Sequence, residues 1–269
     1  MARKILVMNS KGGVGKTTTA VSVGVEMARR GLRVLMVDLD SQCNMSTWLG
    51  YPPPVDDDSP PQFPYRSLLA MATDRRLNAA HLVEQAVWRS PDETREEPRL
   101  QVIASDPGLR ALPVALSDPG PWLRSRLADV ERQWDMIILD SGPTLDVLTI
   151  MGLAAADEVI APLIPTAMSL EGFAQLTRAI ERVRGKGQTP ILRSVLPVLV
   201  TNTRMAKDSI AALCAAVGDR VSTAEIPRTV RVEEAFDRRL PVFDYIPDSP
   251  VSAGYRALVD ELLNTGGAP

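Results

Sequence analysis

Apolar and polar positions alternate between two periods along this chain. "KILVMN" (residues 4–9) is a short, almost unbroken apolar run, the pattern of a strand buried on both faces. Residues 16–30, "KTTTAVSVGVEMARR", change to helical spacing, with Ala20, Val23 and Met27 on one face and Gly31 as the stop. "LRVLMVDLD" (32–40) returns to a continuous apolar run that ends on acids. Similar runs recur at 134–143 ("WDMIILDSGP"), 157–165 ("DEVIAPLIP") and 194–202 ("SVLPVLVTN"). Buried strands separated by helical stretches predict an α/β fold: a doubly wound, mainly parallel sheet flanked by helices. Residues 51–66, "YPPPVDDDSPPQFPYR", break the pattern with six prolines and three successive aspartates, which predicts an exposed, polyproline-like loop. "SPDETREEP" (90–98) reads as a second exposed connection. No repeat and no second domain boundary stands out, so residues 1–269 are expected to form one domain.

Composition narrows the classes. At 45% hydrophobic and 23% charged the chain has the make-up of a soluble globular protein. Its net charge of −3 excludes a polycation, so any nucleic-acid contact must come from a local patch. Cys43 and Cys214 are far apart and form no paired-cysteine motif, which fits a reducing compartment. No apolar run reaches membrane-span length, and the apolar part of "MARKILVMNS" is too short for a signal peptide, so a cytoplasmic location is expected.

The chemistry concentrates where the first run meets the first helix. "GGVGKT" (12–17) keeps the Gly-Lys-Thr end of the phosphate-loop pattern, although Ser10 stands where that pattern has its first glycine. Strand, glycine turn and helix follow in the required order. Gly12, Gly13 and Gly15 let backbone N–H groups, including those of Val14 and Thr18, close around phosphate oxygens at a helix N-terminus. Lys16 would reach the β- and γ-phosphates of ATP, and Thr17 would offer its hydroxyl to Mg²⁺. Asp140 ends the buried run "IILD", where an acid is costly unless it meets a cation or donors. It is the candidate acid behind the metal. Asp38 and Asp40 end another parallel strand and share a face if the strand continues that far. One could sit near the metal while the other orients the attacking water.

Five stretches, "KGGVGKTTTA", "VLMVDLDSQCN", "DMIILDSGP", "ADEVIAPLIPTAMSLEGF" and "EIPRTVRVEEAF…YIPDSPVSAGYRALVDEL", resemble the ParA/MinD family of deviant P-loop ATPases, and within it the small, single-domain ParA proteins. The likeness covers most of the chain in order, and only loosely residues 51–125. It implies that Lys11 crosses into a partner subunit and contacts that subunit's ATP, so that ATP drives formation of a homodimer sandwich. A cation from the opposite chain would offset the phosphate charge facing across such an interface. The resemblance also assigns water activation to Asp40, which leaves Asp38 as the strand-end acid near the metal, gives Mg²⁺ binding to Thr17 and the Walker B role to Asp140, and places adenine against Asn202 and Pro227. Two motifs depart from the family. "DLDSQCN" has Ser41 and Cys43 where proline and glycine are usual, and "DSGP" has Gly142 in place of a proline.

The client is approached through charge. Residues 171–239 carry 12 Lys and Arg against 8 Asp and Glu, whereas residues 1–170 carry 17 against 21. ParA-like proteins bind DNA without sequence preference through basic residues in this half, which makes Arg204, Lys207, Arg228 and Arg231 the candidates. The resemblance further implies a ParB-like centromere-binding partner that stimulates slow hydrolysis, and nucleoid association. A MinD-like membrane-cycling ATPase would want a basic amphipathic C-terminal helix, but "YRALVDELLNTGGAP" has no Lys or Arg after Arg256. An iron–sulfur electron carrier would want clustered cysteines, and a dethiobiotin-synthetase-like ligase fits the "IPRTVR" segment poorly.

Overall fold

In the computed structural model the described residues are 1–51, 68–73, 78–89, 94–116, 118–166, 169–185, 187 and 190–264. β1 (Arg3–Val7) leads through the glycine turn into α1 (Lys16–Arg29), and β2 (Val34–Leu39) into the short α2 (Asn44–Trp48). After α3 (Leu68–Thr73), β3 (Val83–Arg89) and β4 (Thr94–Ile103) pair antiparallel. Then come α4 (Leu112–Ala115), α5 (Pro119–Ala128), β5 (Met136–Ser141), α6 (Val147–Ala155), β6 (Glu158–Leu163) and α7 (Ser169–Arg184). The chain continues with β7 (Ile191–Val200), α8 (Arg204–Val217), β8 (Ile226–Pro227), α9 (Arg231–Asp237), α10 (Val242–Tyr245) and α11 (Pro250–Asn264).

The strands form one sheet in the order β3-β4-β2-β5-β1-β6-β7-β8, all parallel except β3. The expected α/β doubly wound sheet is therefore the observed one. Its central strands are buried on both faces, which is why they read as continuous apolar runs. Ile5 and Val7 point into one core layer with Met36, Trp48 and Tyr255. Leu6 points into the opposite layer with Leu35, Leu139 and Met151. α1 and α11 cover the first layer, and α6 and α7 pack on the second.

Two of the boundaries that differ from the sequence pattern bear on the site and the sheet edge. The second strand stops at Leu39, so Asp40 lies in the turn before α2, not on the strand. The stretch 90–98, expected as an exposed connection, contributes residues 94–98 to β4. An antiparallel pair at a sheet edge needs no continuous apolar run, so charge there disguised the strand. Of the proline-rich stretch 51–66, residues 52–66 lie outside the described residues.

Candidate functional site

β5 lies between β1 and β2, and the register aligns Val7 with Asp140 and Asp140 with Asp38. The glycine turn and two acids thus meet at the carboxyl ends of three adjacent strands, where ligands of such sheets bind. Ser141 Oγ donates to Val7 O at 2.9 Å and fixes the end of β5 to the end of β1.

The turn is held from both sides. Asn9 Nδ2 donates to Pro162 O, and Asn9 Oδ1 accepts from the Lys11 amide at 3.1 Å. Gly13 and Gly15 adopt left-handed φ values of 69° and 70°, which an L side chain resists, and Gly15 caps α1. The first-turn amides of α1 therefore open toward a cavity of about 440 Å³ lined by Gly12 through Thr18. Lys16 folds back over the turn: its Nζ donates to Lys11 O at 3.0 Å. Burial lowers the pKa of its ammonium, opposed by Asp140 and Asp40. Lys11 itself is exposed, with no carboxylate partner among the described residues.

The three acids have different surroundings. Asp140 is fully buried, and neither carboxylate oxygen accepts a well-formed hydrogen bond, although the Thr17 hydroxyl stands close enough to stabilise its charge. Burial holds its carboxyl well above the usual range, and neighbouring Asp38 adds to the shift, while Thr17 and Lys16 oppose it. Asp38 is already committed. Its Oδ2 accepts from Ser46 N at 2.9 Å and Ser46 Oγ at 2.6 Å, and its Oδ1 accepts from Asp40 N at 3.0 Å. Neither Asp38 nor Asp140 lines the cavity, but the oxygens of Asp38 are taken up by the Asp40 and Ser46 donors, whereas Asp140 stands beside Thr17 and Lys16. Asp40 does line the cavity, and its Oδ1 accepts from Gln42 N at 3.0 Å. The two oxygens of Asp140 beside the Thr17 hydroxyl form an all-oxygen donor set suited to a hard cation such as Mg²⁺. Bound there, Mg²⁺ would neutralise phosphate charge.

Of the two adenine candidates, Pro227 lines the cavity. Asn202 lies in a second hollow that it shares with Lys207 and that also touches Pro227. The apolar end of the cavity also uses residues the sequence did not single out: Leu199, Val232 and Tyr255. Leu199 sits at a left-handed φ of 52° in a β7 bulge, a detail no local pattern announces. Tyr255 faces Thr19 across 3.3 Å, joining α11 to the phosphate-loop helix. Helical spacing in "SPVSAGYRALVDEL" marks it only as a core position.

The basic candidates form two exposed groups. Arg204 and Lys207 open α8, and Arg204 makes only a loose i,i+4 pair with Asp208 at 3.8 Å. Arg228 follows β8, and Arg231 begins α9, stacked 5.2 Å from the Tyr245 ring centroid. Exposed Met205 and Val230 lie beside them in the chain. Cys43 is buried, and burial pushes its thiol up to about 12, which removes it as a nucleophile.

Comparison with known proteins agrees with this geometry. Residues 2–193 match a family model described as an AAA domain. The chain is 34% identical to the chromosome-partitioning ATPase Soj of Thermus thermophilus, covering 97% of this chain and 95% of that one. It is also 34% identical to the chromosome partitioning protein ParA of Caulobacter vibrioides, over 97% and 94% of the two chains. Among solved structures it is similar to the cobyrinic acid a,c-diamide synthase of Mycobacterium smegmatis with bound ATP analogue and magnesium. That likeness has a TM-score of 0.80 and 26% identity, over 100% of this chain and 97% of that one.

Proposed function

This chain belongs to the ParA/Soj family of P-loop ATPases, and from that footing we propose that it is a Mg²⁺-dependent partition ATPase that segregates plasmid or chromosome DNA. The observation that carries the reading is the fully buried Asp140 carboxylate beside Lys16 and Thr17, behind the glycine turn. Thr17 and Asp140 would hold the metal, and Lys16 with the amides of Gly12, Gly13, Val14, Gly15 and Thr18 would hold the phosphates. Asp40 would orient the attacking water, and Pro227 would face the base.

In this reading exposed Lys11 reaches the ATP of a second subunit, so the dimer exists only with ATP between its halves. The ATP dimer binds DNA without sequence preference through Arg204, Lys207, Arg228 and Arg231, and associates with the nucleoid of the cytoplasm. A ParB-like centromere-binding protein stimulates hydrolysis. Membrane cycling is disfavoured because the apolar face of α11 is spent on the core through Tyr255, Leu258 and Leu262. A second reading, a small-molecule ligase, is favoured only by the likeness to the diamide synthase. ATP turnover that requires a carboxylic-acid acceptor would sort the chain there.

The test is calorimetry with Mg-ATP alongside sedimentation. Wild type should bind and dimerise, Lys16→Ala should lose binding, and Lys11→Ala should bind as a monomer. Equal ATP affinity in wild type and Lys16→Ala rejects the nucleotide assignment. A Lys11→Ala protein that dimerises as wild type does rejects the cross-subunit role.

A further inference from the structure

Asp40 sits in a four-residue loop between β2 and α2 whose other restraints are mostly its own. The Asp40 amide donates to Asp38, the Gln42 amide to Asp40 Oδ1, and the Cys43 amide to Asp40 O at 2.9 Å. Cys43 turns the chain at a left-handed φ of 56°, a conformation that favours glycine. A second segment, residues 105–110 beyond β4, holds this loop at Ser41 and the helix that follows it, α2, at Ser46. The Ser105 amide donates to Ser46 Oγ at 2.8 Å, and Arg110 Nε donates to Ser41 Oγ at 2.8 Å. Ser41 is buried, directly follows Asp40, and is one of the two positions where this loop departs from its relatives' pattern. Arg110 does not line the nucleotide cavity.

We propose that Arg110 is a positioning residue for hydrolysis, setting the placement of the Asp40 carboxylate by clipping Ser41. The proposal rests on the reading of Asp40 as the group that orients water. Rotation about the Asp40–Ser41 link moves the Asp40 side chain, and a small displacement at such a group costs rate while leaving binding intact. Among the described residues no hydrogen bond joins the phosphate loop to Ser41 or Arg110, so ATP affinity is independent of the clip.

The experiment measures kcat, KM, ATP affinity and melting temperature for Ser41→Ala, Arg110→Ala, the double variant, Ser41→Thr, Arg110→Lys and Asp40→Ala. Ser41→Ala and Arg110→Ala should each lower kcat by about two- to tenfold, the worth of one hydrogen bond. KM and ATP affinity should not move, and the melting temperature should fall by no more than a few degrees, the worth of the same bond to the fold. The double variant should be no slower than either single one, because both remove the same bond. Ser41→Thr keeps the hydroxyl and should keep the rate. Arg110→Lys should be as slow as Arg110→Ala, because a lysine places a methylene where the arginine Nε–H stands.

Full activity in Ser41→Ala, or in Arg110→Lys, overturns the proposal; the second outcome would mean that charge acts and the bond does not. Additive losses in the double variant overturn it as well. Wild-type turnover in Asp40→Ala would instead sink the reading of the site, and the positioning role with it.

Discussion

A carboxylate taken out of water without well-formed hydrogen bonds is costly, and Asp140 has two such oxygens. The cost is worked into function when a cation arrives, and until then the site is a local weakness. The direction of the shift gives the pH dependence. Burial, with Asp38 nearby, raises the folded-state pKa of Asp140 above its unfolded value, so the native state takes up a proton more readily than the unfolded one. Stability from this group is present below the unfolded carboxylate range and is lost as pH rises through the raised value. Asp38, pushed up to about 6 by the same burial, acts in the same direction. Asp140→Asn removes the buried charge. Without nucleotide or metal it should melt above wild type at pH 8, with the gap narrowing toward pH 5. Each kcal/mol corresponds to about 2–4 °C for chains of this size. Mg-ATP should raise the melting temperature of wild type and leave the variant nearly unmoved. Thermal melts in chelator across that pH range check the claim; a gap that widens toward pH 5 contradicts it.

At the scale of elements, the site depends on how closely α11 approaches β8. A Cβ added at Gly254 would stand 2.6 Å from the carbonyl oxygen of Glu225, which is backbone and cannot swing aside. Gly254→Ala should therefore push α11 away from β8, costing about 1–3 kcal/mol as overpacking does. It should also weaken ATP binding, because the next residue, Tyr255, and the β8 residue Pro227 both line the cavity. Urea melts and calorimetry read the two effects; an unchanged ATP affinity would uncouple the helix from the site. Gly254 also marks what the sequence could tell. α1 was legible from its period and from Gly31, which closes it at a φ of 91°. The central strands were legible because burial on both faces leaves an apolar run. The two-residue β8 carries no periodicity, and the antiparallel edge of β3 and β4 is written in charge. The phosphate loop was readable because its chemistry is local in sequence. The Ser41–Arg110 clip and the Leu199 bulge join distant or irregular backbone, so no window of residues contains them.

At the scale of the whole molecule, a chain of net charge −3 must confine its cations to one region to meet a polyanion. Arg204 and Lys207 at the start of α8, and Arg228 and Arg231 around β8 and α9, are exposed; Lys207 lines one hollow and Arg228 and Arg231 another, and both hollows share Pro227 with the nucleotide cavity. A monomer with a few such contacts holds DNA weakly. A sandwich dimer presents the set twice on one duplex, so affinity should appear with ATP and vanish with ADP. Arg204 is the sharpest probe, since its side chain is 95% exposed and only loosely paired, so its loss leaves the fold intact. On the proposed DNA-binding reading, Arg204→Ala removes one phosphate contact in each protomer, hence two per dimer. The plot of log affinity against log salt should become shallower by about 2, at about 0.9 per contact, measured from about 50 to about 200 mM salt. The loss should be the same for unrelated DNA sequences, because phosphate contacts carry no base readout. ATP-driven dimerisation, followed in parallel by sedimentation, should be untouched. A slope change near 1 would mean that one protomer alone meets the duplex. Arg204→Ala with the wild-type slope, or DNA binding indifferent to nucleotide, would remove α8 from the interface and detach the basic surface from the ATP switch.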